Sequence, residues 1–332
     1  MTLIKKILNN PENIVDEMVD GMVLSHPDLI KRIPNTGVVQ RTLDKKGKVA
    51  IVSGGGSGHE PAHAGFVGAG MLSAAVCGAV FTSPTPDQIL EAIKAADEGE
   101  GVFLVIKNYS GDVMNFEMAQ ELAEMEGIKV DSIVVDDDIA VEDSLYTQGK
   151  RGVAGTVFVH KILGYAAEQG QSIEEIKELA EELIPNMKTV GLALTGVTTP
   201  GSNEPSFTLA DDEIEYGVGI HGEPGYRREQ LQTSKDLADE LLTKLLEEFE
   251  VKANERFAII VNGLGGTPLM EQYVFANDVH KIMKDNKLQI EFSKVGNLMT
   301  SLEMQGLSLT LLRLENDFYM EALEASVDTI NW

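Results

Sequence analysis

Cysteine is nearly absent from this 332-residue chain. Cys77 stands alone, which excludes an intrachain disulfide and a cysteine-built zinc ribbon and fits a reducing compartment. Basic residues are also scarce: lysine and arginine number 27 against 53 aspartates and glutamates, a net charge of −26. Such a chain repels nucleic-acid phosphates and anionic lipid. The most apolar stretch, 66–81, is short and broken by glycine, so it reads as core and not as a membrane span. Residues 1–16 lack the apolar centre and small-residue cleavage site of a signal peptide. These absences predict a cytoplasmic protein with neither nucleic acid nor membrane as partner. What is present is ordinary, 43% hydrophobic and 24% charged residues, enough for two α/β domains and no long disordered tract.

The most informative stretch is 48–61, Lys-Val-Ala-Ile-Val-Ser-Gly-Gly-Gly-Ser-Gly-His-Glu-Pro. Residues 49–52 are apolar without alternation and rich in β-branching, the pattern of a strand buried on both faces. The glycines that follow predict a loop of backbone donors, and Pro61 predicts the first position of a helix, so that His59 sits at an anion-favouring helix N-terminus. Three common readings fail. No lysine follows the glycines, which excludes a Walker A loop. His59 stands where a dinucleotide fingerprint needs its third glycine, and no acid lies about 20 residues on. His59-Glu60-Pro61-Ala62-His63 spells the zinc-protease pattern, which requires both histidines on one face of a continuous helix, and Pro61 opposes that helix. No metal is assigned, and His63 alone reads as a packed or surface histidine on the following helix.

Strand and helix then alternate. Strands are predicted at 74–80, 101–107 and 128–135, and helices at 87–97, 115–127, 152–169 and 172–183, after an opening helix over 10–25. The strand ends carry Ser83 in a proline-rich loop, Lys107, and Asp112 in Asn108-Tyr109-Ser110-Gly111-Asp112. Read singly, Lys107 is a solvated lysine and Asp112 a helix cap. Read together with His59, they gather where ligands sit in open α/β sheets. The Asp136-Asp137-Asp138 run reads as a solvated turn with one helix-capping member and receives no role.

Pro185-Asn186 marks a break, which divides the chain into domains 1–185 and 186–332. The second half opens with a strand at 190–194, and a short strand over 214–220 runs into Gly217-Val218-Gly219-Ile220-His221-Gly222-Glu223-Pro224-Gly225. Small residues at 219 and 222 predict an accessible imidazole on His221, which is able to act as base or nucleophile, or else a satisfied turn histidine. A helix over 231–249, a strand–glycine–proline unit over 257–268, a helix to about 284, strands at 288–295 and 308–314 and a last helix complete the reading. The expected fold is α/β, with two α/β domains of mainly parallel or mixed sheets and a ligand site at strand C-terminal ends facing the second domain.

Four motifs in this order, around 53–61, 81–87, 107–112 and 217–225, resemble the dihydroxyacetone-binding subunit of the phosphoenolpyruvate-dependent, phosphotransferase-type dihydroxyacetone kinases and its homologous domain in the ATP-dependent kinases. The resemblance covers nearly the whole chain. It implies that His221 adds through a ring nitrogen to the ketone of dihydroxyacetone, forming a covalent hemiaminal, with His59 and Asp112 as general acid/base groups. It further implies that Gly56, Ser57, Gly58, His59, Ser83, Lys107, Asp112 and His221 hold the substrate. Glycerol, which has no carbonyl, cannot form the adduct. The sequence runs to Trp332 without the helical ATP-binding domain of the single-chain kinases. The resemblance therefore implies that this chain binds no cofactor, and that phosphate comes from a separate subunit holding ADP and Mg2+, itself recharged by a phosphohistidine carrier protein. Homodimers are implied too. The alternative is a non-catalytic paralogue that senses dihydroxyacetone as a transcriptional co-activator; His59 and Asp112 beside His221 favour the enzyme.

Overall fold

The computed structural model describes residues 5–43, 47–140 and 149–332; residues 1–4 of the expected signal-free opening lie outside them. The first sheet holds β1 (Ile30–Arg32), β2 (Val38–Arg41), β3 (Ala50–Ser57), β4 (Ala74–Val80), β5 (Val102–Lys107) and β6 (Val130–Val135), in the spatial order β1-β2-β4-β3-β5-β6. Its centre is parallel, with β3 paired to both β4 and β5 and β5 to β6, while β1 and β2 add an antiparallel edge. β3 and β5 are buried along their full length, as unalternating apolar runs require.

The second sheet holds β7 (Met187–Ala193), β8 (Glu213–Tyr216), β9 (Arg227–Gln230), β10 (Arg256–Gly263), β11 (Gln289–Gly296) and β12 (Gly306–Arg313), in the order β11-β10-β12-β7-β8-β9. Here only β10 and β11 run parallel; the other pairs are antiparallel. The two sheets are thus both mixed.

α1 (Ile14–Ser25) packs beside β1 and β4, and helices α2 (Pro86–Ala96) and α3 (Ser110–Met125) cover the outer face of the first sheet, with Val52, Ile89, Leu104 and Phe116 in their shared core. α6 (Ser234–Phe249) and α7 (Leu269–Asp285) cover the outer face of the second. Between the sheets lie α4 (Thr156–Glu168), α5 (Ile173–Leu183) and α8 (Asp317–Glu324). One core joins Ile51 and Phe103 of the first sheet, Phe158 and Ile162 of α4, and Ile260 and Leu312 of the second sheet. α4 is apolar on almost every side because it is covered on every side, and even His160 and Lys161 are inaccessible.

Two local expectations are corrected. The strand that starts at Ala50 runs through the glycines to Ser57, and Pro61 starts no α-helix; a 3₁₀ turn over Ala64–Phe66 follows. The glycines serve close packing of backbones. A Cβ on Gly54 would lie 2.7 Å from the Val76 carbonyl oxygen, and one on Gly56 would lie 2.5 Å from the Thr82 nitrogen. β8 also ends at Tyr216, not at 220, and the following turn carries His221. Strands β1, β2 and β9 were not legible: they are three or four residues long, and β9 is the polar edge Arg-Arg-Glu-Gln.

α4 approaches the 68–72 loop at Gly164, where an added Cβ would lie 2.6 Å from the Met71 carbonyl oxygen and 2.7 Å from that of Gly70. Alanine is better than glycine in a free helix by about 1 kcal/mol, yet here it forces two elements apart. Gly164→Ala is expected to destabilise the protein by about 1–3 kcal/mol, as overpacking does; thermal unfolding that leaves Tm unchanged or raised would show the contact to be soft.

Candidate active site

Segments from both halves meet beyond the ends of β3, β5 and β8. His59, fully buried, is gripped twice by Thr300: the Thr300 N–H donates to the His59 carbonyl at 3.1 Å, and His59 Nδ1 lies 2.7 Å from the Thr300 carbonyl. A carbonyl oxygen only accepts, so Nδ1 carries the hydrogen and Nε2 presents a lone pair. The ring stacks on Phe81 at 5.1 Å. Gly58, with φ +106°, leaves the space that the Phe81 ring fills. Burial, together with the charges of His221 and Lys107, holds His59 well below the ordinary imidazole range, against the bond to Thr300.

His221 faces it. The two Nε2 atoms are 3.1 Å apart, with rings near perpendicular, and Tyr109 and Phe81 stand edge-on to His221 at 4.5 and 5.3 Å. Glu223 grips His221 as Thr300 grips His59: its carboxylate accepts the His221 backbone N–H at 3.0 Å and lies 3.1 Å from Nδ1. Burial alone would push the Glu223 carboxyl up; the hydrogen bond and charge of His221, with Arg151, outweigh it and hold the group below its usual range. The His221 ring is 18% exposed and lines the cavity, and Gly219 also makes room for the Glu223 carboxylate and for Arg151, whose Nη1 would be 2.7 Å from a Cβ there.

Arg151, inaccessible to solvent, pairs with Asp138 at 2.6 Å and donates to the Gly217 carbonyl at 2.7 Å. This ties the His221 turn to the end of β6. The expected solvated turn is therefore corrected for two of its three aspartates: Asp136 is exposed, but Asp137 and Asp138 are 1% and 2% exposed. Asp137 accepts the N–H groups of Val153 and Gly155 at 2.8 Å and bonds the Thr189 hydroxyl at 2.5 Å, while burial pushes its carboxyl up to about 6.

α3 begins at Ser110, five residues before its expected start, and so brings Asp112 into its first turn. Asp112 Oδ2 is 3.3 Å from Lys107 Nζ, and Oδ1 has no protein partner among the described residues. Gly56, Ser83, Asp112 and His221 line one cavity of about 750 Å3, together with Phe81, Tyr109, Ser206 and Glu223, a volume usual for a small-ligand site. Of the other expected site residues, the Ser57 hydroxyl bonds the Gly78 carbonyl at 2.7 Å and the Gly58 N–H bonds Glu60 at 3.0 Å. Lys107 stands behind Asp112, 1% exposed. His63 does not join His59; it lies 3.1 Å from Lys107. Among the described residues no three His, Cys, Asp or Glu side chains are grouped to hold a metal, and no helix is long and apolar enough to cross a membrane.

Sequence reasoning missed Thr300, Arg151, Asp138, Tyr109 and Glu223 as parts of the site. Glu223 had a signal, two residues from His221 in the same motif. Thr300, 241 positions from His59, had none.

Two mixed α/β sheets that bring His221, with His59 behind it, and the Asp112 carboxylate to one cavity define a binding protein equipped for acid/base or covalent chemistry on a small ligand. Residues 20–331 match the Dak1 domain, and the chain belongs to that family. It is 62% identical over 328 residues, 99% of each chain, to the dihydroxyacetone-binding subunit of a PTS-dependent dihydroxyacetone kinase from Lactococcus lactis. It is 45% identical over 329 residues, 98% of this chain and all of the other, to a co-activator of the DhaKLM operon from the same species. Among solved structures, the dihydroxyacetone kinase of C. freundii superposes with a TM-score of 0.90 at 36% identity, covering 99% of this chain and 60% of that one.

Removal of Arg151 would leave Asp138 and Glu223 buried without their cation. Arg151→Met is expected to lose about 3–5 kcal/mol, as for a broken buried ion pair, measured by urea unfolding at pH 7. A loss below 1 kcal/mol, on the scale of a surface pair, would show that the turn is held by other contacts.

Proposed function

We propose that this chain is the dihydroxyacetone-binding subunit of a phosphoenolpyruvate-dependent dihydroxyacetone kinase, a phosphotransferase that yields dihydroxyacetone phosphate. The observation that carries the reading is the 3.1 Å contact of buried His59 Nε2 with Nε2 of His221, which lines the cavity. With the Nδ1 hydrogen of one ring given to the Thr300 carbonyl and that of the other to Glu223, a hydrogen between the two facing nitrogens is one more than two neutral rings carry, and the Glu223 carboxylate balances its charge. His59 takes that hydrogen and bares the His221 lone pair. The lone pair bonds to the ketone carbon, the carbonyl π electrons move to oxygen, and the hydrogen passes from His59 Nε2 to that oxygen. The product is a hemiaminal on His221, and His59 ends as it began. Capture through a carbonyl selects a ketose over a polyol of similar shape.

Asp112 serves the second step. Asp112 lines the cavity, and its Oδ1, buried and without a partner among the described residues, accepts the proton of the substrate hydroxyl as that oxygen attacks phosphorus. Gly56, Ser57, Gly58, Ser83 and Lys107 complete the substrate site as hydrogen-bonding or positioning groups. The phosphoryl group comes from a nucleotide, ADP in its spent form, held with Mg2+ on a separate subunit that a phosphohistidine carrier recharges. This chain works as a cytoplasmic homodimer in glycerol metabolism and binds no cofactor of its own. The 62% identity to a kinase subunit, against 45% to a co-activator, and the Lys107–Asp112 pair, which capture alone does not need, support the enzyme over a sensor.

Incubation with dihydroxyacetone is expected to add the mass of one triose in intact-protein mass spectrometry. His221→Ala should abolish the adduct, and an undiminished adduct would remove His221 from this role. Asp112→Asn is expected to keep the adduct while phosphate transfer, with nucleotide and carrier subunits added, falls about 10²–10⁴-fold, the usual range for a lost general base. Adduct formation by the wild-type chain without transfer under any donor conditions would establish the sensor instead.

A further inference from the structure

Behind Asp112, on the side away from His221, stands a line of buried groups that the reaction above does not use. His63, from the turn after β3, has Nδ1 2.8 Å from His160 Nε2 of α4 and Nε2 3.1 Å from Lys107 Nζ. Lys107 Nζ continues to Asp112 Oδ2 at 3.3 Å and to the Gly54 carbonyl at 3.5 Å. None of the four side chains belongs to a residue more than 5% exposed. A Cβ on Gly55 would collide with Lys107 Nζ, so the central glycine of the motif is the space through which the ammonium reaches its partners.

Donor and acceptor rules give this line one direction. An ammonium only donates, so His63 Nε2 must be the bare nitrogen and its hydrogen must lie on Nδ1, which hands it to His160 Nε2. Ser53 cannot reverse the order, because its hydroxyl donates to the Val105 carbonyl at 2.7 Å. Burial, with the nearby Lys107 charge, keeps both rings neutral: His63 is held well below the imidazole range and His160 is lowered to about 3.

We infer that His63 and His160 are positioning residues for Lys107: His160 fixes the tautomer of His63, and His63 accepts one ammonium hydrogen, so that another is aimed at Asp112 Oδ2 and Oδ1 alone is left to take the substrate proton. A buried ammonium is mobile or deprotonated unless its hydrogens are accepted. The neutral imidazole supplies that acceptor without a second negative charge. The pattern that spelled a zinc site thus belongs to two different devices: His59 to the reacting imidazole pair, and His63 to the support of the base. The charged and titratable groups facing the Lys107–Asp112 pair are His63 and His59 from the turn after β3, His160 from α4 and Tyr109 from the link between β5 and α3. His221 and Glu223 stand across the cavity.

The activity arm of the test rests on the proposed reaction. In His63→Leu the triose adduct should survive while kcat for transfer falls about a hundredfold, the scale of a misplaced catalytic group, with KM little changed. His63→Gln, whose Oε1 can accept from Lys107 while its NH2 donates to His160, should restore most of the rate. His160→Phe, which frees the His63 tautomer, should resemble the leucine variant. In the ligand-free wild-type protein, 15N NMR should show the hydrogen of His63 on Nδ1. A leucine variant within about twofold of wild type, glutamine no better than leucine, or the hydrogen on Nε2 would each overturn the inference. If the wild-type chain transfers no phosphate, the proposed function fails and the tautomer decides this inference alone; if the leucine variant does not fold, the glutamine variant and the tautomer decide it.

Discussion

Two imidazole nitrogens, 3.1 Å apart and delivered by different sheets, form the contact on which the rest depends. Facing lone pairs repel, so the contact requires one hydrogen between them and an anchor behind each ring. Thr300 is the first anchor, and its segment is stitched to the His59 turn by Leu302 N–H to the Gly58 carbonyl at 2.8 Å and the Thr300 hydroxyl to the Glu60 carbonyl at 2.9 Å. Glu223 is the second, backed by Arg151 and Asp138. Thr300 crosses from one half of the chain to the other, and Arg151 crosses back to the Gly217 carbonyl behind the second anchor, so alignment of the pair demands that the sheets be locked together.

Burial makes that locking exacting. Ionised groups taken from water need partners, and the seam meets the need in two compensated sets. Lys107 with Asp112 closes one side of the cavity, and Arg151 with Asp138 and Glu223 closes the other. Neutral imidazoles extend the first set, and backbone carbonyls at Gly54 and Gly217 complete both. The apolar core around α4 surrounds this polar seam and holds it away from solvent, which raises the effect of each charge on its neighbours. Among the described residues, Oδ1 is the polar side-chain atom of the Lys107–Asp112 pair left without a partner.

Much of this was legible along the chain. The apolar runs at 49–52, 74–80 and 101–107 are strands because nothing but a doubly covered sheet accommodates unalternating β-branched residues. His59, Asp112 and His221 were legible as chemistry-bearing residues because glycine, proline and short polar residues surround them at strand ends. Glycine itself misled. Its low strand propensity predicted a loop after Val52, but backbone packing against β4 and the passage of Lys107 at Gly55 kept β3 running to Ser57.

The alternation of the longer strands and helices, the α/β plan and the chemistry-bearing side chains at strand ends were determined by the sequence alone, since periodicity and turn chemistry act over a few residues. What only the tertiary structure decided was the partner of each of those side chains: Thr300 for His59, Glu223 with Arg151 for His221, and His63 with His160 for Lys107. These pairings span up to 241 positions and follow from how two mixed sheets close on α4. Buried polar groups take whichever partner the packing brings within hydrogen-bond reach, and distance along the chain carries no record of that choice.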